Sequence, residues 1–89
     1  MLRQQITIIN KLGLHARAAA KLVNCAAAFS SAIQIGPPDA MVDGKSIMSV
    51  MMLAAGQGTV LELEVNGSDE AEALASIVAL VENRFDEGE

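Results

Sequence analysis

Tryptophan and tyrosine are missing from this 89-residue chain, and Phe29 and Phe85 are its only aromatic residues. A core must therefore be assembled from Leu, Ile, Val, Met and many Ala. Alanine removes little apolar area from water, so thin layers and modest stability are expected. Cys25 stands alone, which excludes an internal disulfide. No CxxC pair or Cys/His cluster supplies a metal-ligand pattern, and neither metal nor cofactor is expected. Cys25 is instead expected to be a small buried thiol in a reducing compartment. No apolar run is long enough for a membrane span. The opening MLRQQITII lacks the apolar stretch of a secretory leader, so a cytoplasmic location is expected.

Acid is the other shortage, and it is local. Residues 1–38 hold Arg3, Lys11, Arg17 and Lys21 with no Asp or Glu, whereas residues 59–89 hold nine acids against Arg84 alone. The net charge of −5 argues against general nucleic-acid binding. A basic N-terminal half suits an anionic group or an acidic partner; two ordinary solvated faces would read the same way.

About half the residues, 52%, are apolar, enough for one core in a single domain over residues 1–89. Alternation of Ile6 and Ile8 with Gln5 and Thr7 predicts a half-buried strand over 2–9, followed by a loop at 10–14. Alanine-rich 16–28 predicts a helix with Leu22, Val23 and Ala26 on one face. Ile33 and Ile35 mark a second strand, Gly36-Pro37-Pro38-Asp39 a turn, and Met41 and Val42 a short edge strand closed by Asp43-Gly44. Residues 46–53 predict a short helix with Ser46 as N-cap, and 54–58 a loop. Leu61, Leu63 and Val65 alternate with Glu62 and Glu64 as an amphipathic strand, ended by Asn66-Gly67. Ser68 or Asp69 then caps a last helix reaching Phe85, with the stripe Leu74, Ile77, Val78, Val81 and Phe85 and acids in its first turn, and the tail 86–89 is expected to fray. The order is βαββαβα. Strands apolar on one side need cover on one face only, which predicts an α+β open-faced sandwich: a four-stranded, mainly antiparallel sheet with helices on one side.

Gly13-Leu14-His15-Ala16-Arg17 lies where a strand gives way to a helix. A side chain at that junction sits beside the free N–H groups of the helix start, which with the helix dipole bind phosphate. Imidazole is nucleophilic and largely unprotonated near neutral pH. Together these features describe a phosphoryl acceptor with an anion site in place, and Arg17 adds a fixed positive charge. A lone histidine at a helix start also serves simply as a cap or surface residue. No acid lies within fifteen residues of His15, so nothing local marks it as a base.

The segment Asn10-Lys11-Leu12-Gly13-Leu14-His15-Ala16-Arg17 resembles the active-site signature of the HPr family, the histidine-containing phosphocarriers of the bacterial phosphoenolpyruvate-dependent phosphotransferase system. Gly44-Lys45-Ser46-Ile47-Met48-Ser49-Val50-Met51-Met52-Leu53 resembles that family's regulatory-serine segment, and the element order agrees over essentially the whole chain. The resemblance implies a monomeric carrier rather than an enzyme. His15 would take a phosphoryl group from enzyme I on Nδ1 and donate it to IIA-type components. Arg17 would orient and neutralise the phosphoryl oxygens, and Ser46 would be the target of an HPr kinase/phosphorylase. Ala18 departs from the family's usual proline, a substitution the first helical turn tolerates. Ile47, Met48 and Met51 belong to a segment apolar nearly all round, suited to docking partners beside His15; methionines filling gaps in an alanine-rich core are the plainer reading. Ser46 has the plain N-cap as its own alternative. Two other functions stay open: a carrier of the nitrogen-related phosphotransferase branch, and a regulatory interaction module that uses the same surface without carrying phosphate.

Overall fold

A computed structural model describes residues 1–87. Its elements are β1 (Leu2–Thr7), α1 (Ala16–Ala27), β2 (Ala32–Gly36), β3 (Val42–Asp43), α2 (Ile47–Met52), β4 (Val60–Asn66) and α3 (Glu70–Glu82), followed by a 3-10 turn over Arg84–Asp86. The sheet order is β1-β4-β2-β3, and each neighbouring pair is antiparallel. The predicted βαββαβα sandwich is the fold observed.

The central strand β4 sets the layers. Leu61, Leu63 and Val65 are buried, while the residues between them face the other way and stay partly or fully exposed. Pairing of Ile6 with Leu61 on one side, and of Ile33 with Val65 and Ile35 with Leu63 on the other, extends the apolar face across the sheet. The helices cover that face with Leu22 and Ala26 of α1, Val50 of α2, and Ala73, Ile77 and Val81 of α3. Each fully buried Leu, Ile or Val side chain among them contributes about 1.5–3 kcal/mol. Alanine serves as the close-packing residue, with Ala18, Ala19, Ala26 and Ala73 inaccessible to solvent. The uncovered face is polar, and Arg3 reaches Glu62 there at 3.7 Å. Among the described residues no helix is long and apolar enough to cross a membrane.

Several boundaries differ from the sequence expectation. β1 ends at Thr7 because its partner strand begins at Val60; Ile8 instead exchanges backbone bonds with the 58–59 turn, donating to Thr59 and accepting from Gly58. The edge strand is Val42–Asp43 rather than Met41–Val42, set by the pairing of Val42 with Ile35. Cys25 is only half-buried; desolvation still pushes its thiol above the ordinary range. The last helix stops at Glu82, short of Phe85. Arg84, Phe85 and Asp86 follow with φ of 54°, 52° and 63°, and this left-handed turn redirects the chain while seating Phe85 fully in the core. Asp86 and Glu87 do not fray: Asp86 and Glu87 N–H groups donate to Asn83 and Arg84 carbonyls at 3.0 Å. The remaining tail positions, 88 and 89, lie outside the described residues.

Asp69, not Ser68, is the N-cap of α3, but its side chain works across the fold rather than on its own helix. Its carboxylate accepts from the Ser30 and Ser31 N–H groups at 2.9 and 3.0 Å and from the Ser31 hydroxyl. Those bonds, the Ser31 hydroxyl foremost, hold the carboxyl down to about 2 from an ordinary 3.8. A carboxyl whose folded pKa is depressed stabilises the fold above the unfolded value and stops doing so as pH falls through the folded one. Asp69→Ala is therefore expected to melt below the wild type at pH 7, with the gap closing as pH is lowered from 3.8 through about 2. Thermal denaturation across that range checks it; equal melting temperatures at pH 7 would remove Asp69 from the junction's stability.

Candidate functional site

The loop between β1 and α1 is shaped by two residues. Gly13 sits at φ +67°, and a Cβ there would lie 2.5 Å from the Ala55 carbonyl oxygen and 2.7 Å from Gly56 Cα. Only glycine meets both demands, the left-handed backbone and the close approach. The approach lets the Leu14 N–H donate to the Ala55 carbonyl at 2.8 Å, which pins this loop to the one after α2. Asn10, fully buried, donates through Nδ2 to the Gly13 carbonyl at 2.8 Å. Leu14 inserts into the core on one side, Ala18 and Ala19 on the other, so His15 is held between anchored neighbours.

His15 is the N-cap of α1, extended at φ −75° and ψ 177°. Its side chain does not cap the helix. The first intrahelical bond runs from the Ala19 N–H to the His15 carbonyl at 2.8 Å. The N–H groups of Ala16, Arg17 and Ala18 therefore have no partner within the helix, and no acid occupies the first turn. Such a helix start favours an anion. Ala18 keeps a donor that proline at this position would lack.

The imidazole is turned toward the other end of the chain. Nε2 lies against Glu87 Oε2, 72 residues away in sequence, and the two side chains are 28% and 15% exposed. Glu87 Oε1 accepts from Asn10 Nδ2 at 2.9 Å. The Asn10 contact first, then the hydrogen bond and charge of His15 and the charge of Lys21, hold the Glu87 carboxyl below the usual carboxylate range. Lys21 donates through Nζ to the Phe85 carbonyl at 2.7 Å, tying α1 to the left-handed turn. Arg17 is exposed and makes no ion pair among the described residues. With Lys11, Leu12, Lys21, Asp86 and Glu87 it lines an open cavity of about 320 Å³.

Ser46 and the apolar segment stand on α2, which packs against α1. Ser46 is the N-cap as expected, and its Oγ accepts from the Ser49 N–H at 3.4 Å. Ile47, Met48, Met51 and Met52 are 41%, 70%, 42% and 80% exposed. The methionines therefore do not fill the core; Val50 alone of this helix is buried. Leu12, 67% exposed, adds apolar surface from the loop before His15. The structure thus places His15 and Arg17 on one helix start and Ser46 with the apolar residues on the neighbouring helix. It adds Asn10, Lys21 and Glu87, which sequence reasoning did not single out. Glu87 carried no local signal, since its partner lies at the far end of the chain.

Comparisons with known proteins identify the family. A family model described as the PTS HPr component phosphorylation site matches residues 2–83. Phosphocarrier protein HPr of Pseudomonas aeruginosa is 60% identical over 86 residues, covering 96% of both chains. That of Neisseria meningitidis serogroup A is 54% identical over 89 residues, covering 100% of both. The crystal structure of HPr-C-His from Thermoanaerobacter tengcongensis superposes with a TM-score of 0.93 at 45% identity, covering 98% of each chain. A site built on one histidine at an open helix start, in this fold and at these identities, means that the chain belongs to the HPr family, the phosphocarrier proteins of the phosphotransferase system.

Proposed function

We propose that this chain works as a cytoplasmic, monomeric, single-domain relay in which His15 accepts a phosphoryl group from enzyme I and donates it to IIA-type components. The observation that carries the reading is the position of its sole histidine at an uncapped helix start. With Nε2 against Glu87, Nδ1 is the ring nitrogen left to react. Its lone pair forms the new N–P bond while the donor's P–N bond breaks and returns its electron pair to the donor nitrogen. The N–H groups of Ala16, Arg17 and Ala18 and the charge of Arg17 then face a dianionic group, so alignment and charge stabilisation do most of the work. No metal is needed. His15→Ala is expected to accept no phosphoryl group while keeping its circular dichroism spectrum and melting transition. Labelling by enzyme I and phosphoenolpyruvate tests this, and wild-type labelling of the variant would remove His15 from the role.

The exposed face of α2 with Leu12 is read as the docking surface for both donor and acceptor proteins. Adaptable methionines suit a surface that meets more than one partner. Met48→Glu should leave the fold intact and weaken binding of enzyme I or a IIA partner by roughly tenfold or more, as for a central interface residue. Calorimetric titration, with circular dichroism as control, measures it; unchanged affinity would return Met48 to ordinary surface.

Ser46 is read as a regulatory phosphosite for an HPr kinase/phosphorylase, set at the start of α2 beside that surface. A phosphoryl group there brings about −1.5 to −2 charges. The helix start tolerates the charge, but desolvating it against apolar surface or bringing it to an acidic partner is unfavourable. Ser46→Asp should melt at the wild-type temperature or above and accept phosphoryl groups from enzyme I more slowly. The slowing recedes in high salt if repulsion dominates and persists if desolvation does. Rates followed against ionic strength distinguish the two, and an unchanged rate throughout would leave Ser46 as a helix cap alone.

A further inference from the structure

Glu87 approaches the reacting imidazole from the side away from Nδ1, and the backbone that brings it there is strained. Three consecutive non-glycine residues, Arg84, Phe85 and Asp86, adopt left-handed φ, a conformation that side chains resist. The turn persists because other parts of the fold hold it: Phe85 is completely buried, Lys21 Nζ grips the Phe85 carbonyl at 2.7 Å, and Glu87 N–H closes on the Arg84 carbonyl at 3.0 Å. At its end the carboxylate is fixed by Asn10 Nδ2 at 2.9 Å, the same amide that fixes the loop before His15 through the Gly13 carbonyl. One buried side chain thus sets the carboxylate and the histidine loop relative to each other.

We propose that Glu87 is a positioning residue for phosphoryl transfer: its carboxylate accepts a hydrogen bond from His15 Nε2–H and so keeps the lone pair on Nδ1, and it balances the ring charge that appears when Nδ1 is phosphorylated. Neutral imidazole carries its proton on either nitrogen, and the hydrogen bond made by one nitrogen decides the state of the other. When the Nδ1 lone pair forms the N–P bond, the proton stays on Nε2 and the ring becomes cationic. That cation meets Glu87 while the phosphoryl oxygens meet the helix start and Arg17. The two charges formed on His15 are accordingly met on opposite sides of the ring. The inference rests on His15 being the acceptor, as proposed above.

The test uses the full chain with phosphoramidate, a small P–N phosphoryl donor that needs no partner protein, and with enzyme I in parallel. Glu87→Ala removes acceptor and charge; Glu87→Gln keeps an acceptor without charge. The ring tautomer is read from imidazole 15N shifts of the unphosphorylated protein, and phosphohistidine formation by 31P spectroscopy. In the wild type Nε2 should carry the proton. Glu87→Ala should populate the Nδ1–H form and lower the phosphorylation rate by roughly tenfold, with enzyme I KM nearly unchanged. Glu87→Gln should restore the tautomer and recover the rate in part. A Glu87→Ala rate equal to wild type with phosphoramidate overturns the proposal, whatever the tautomer. Failure of enzyme I to label the wild type counts against the carrier reading instead, and the phosphoramidate arm still decides the role of Glu87.

Discussion

Leu61, Leu63 and Val65 turn one side of β4 away from water while Glu62 and Glu64 keep the other in it, and that division governs what the remaining chain does. A strand of this kind at the centre of a sheet fixes the register of both neighbours, since a one-residue slip would exchange the two faces. It also obliges every helix to the same side. With α1 laid across the apolar face, its first turn emerges at the margin of the helical layer, where the loop from β1 delivers His15 next to water rather than into the core. The placement of His15 follows from how the sheet is covered.

The site itself joins distant parts of the sequence. Asn10 and His15 come from the β1–α1 loop, Lys21 from the body of α1, and Glu87 from beyond α3. A fully buried amide, Asn10, donates to both the loop and the carboxylate. Its own Oδ1 is buried without a partner among the described residues, an unfavourable state for a buried polar group, while its two Nδ2 bonds hold the amide in place. Around this junction Lys11, Arg17 and Lys21 place three cations along one cavity, facing Asp86 and Glu87. Most of the basic excess of the first 38 residues is therefore gathered at one cavity, and part of the acidic excess of the last third is brought up beside it.

Much of this was legible beforehand, for physical reasons that differ by element. The alternation in β4 and the alanine-rich α1 are period-2 and period-3.6 signals that burial enforces directly, and both elements appear where expected. Ser46 was readable because a capping hydroxyl is a local matter. The end of α3 was not, because the apolar stripe continues in sequence to Phe85 while the backbone reverses its handedness to bury that ring. Asp69 was readable as a cap but not as the clasp for Ser30 and Ser31, and Glu87 was not readable as the partner of His15. Both act across more than thirty-five residues of chain, and no periodicity or spacing encodes such a contact. The exposure of Met48 and Met52 was balanced on composition alone and was settled by packing: a six-residue helix over this sheet buries only Val50.

A sheet covered on one face and open on the other also leaves two borders. Border strands expose unpaired N–H and C=O groups, which can template the addition of a further strand from another molecule. Here one border, β3, is two residues long, too short to offer a continuous ladder. The other, β1, runs Leu2–Thr7 with Arg3, Gln4, Gln5 and Thr7 all exposed, so a flat apolar ribbon is absent there. Neither border thus offers the long, flat apolar edge that an added strand needs.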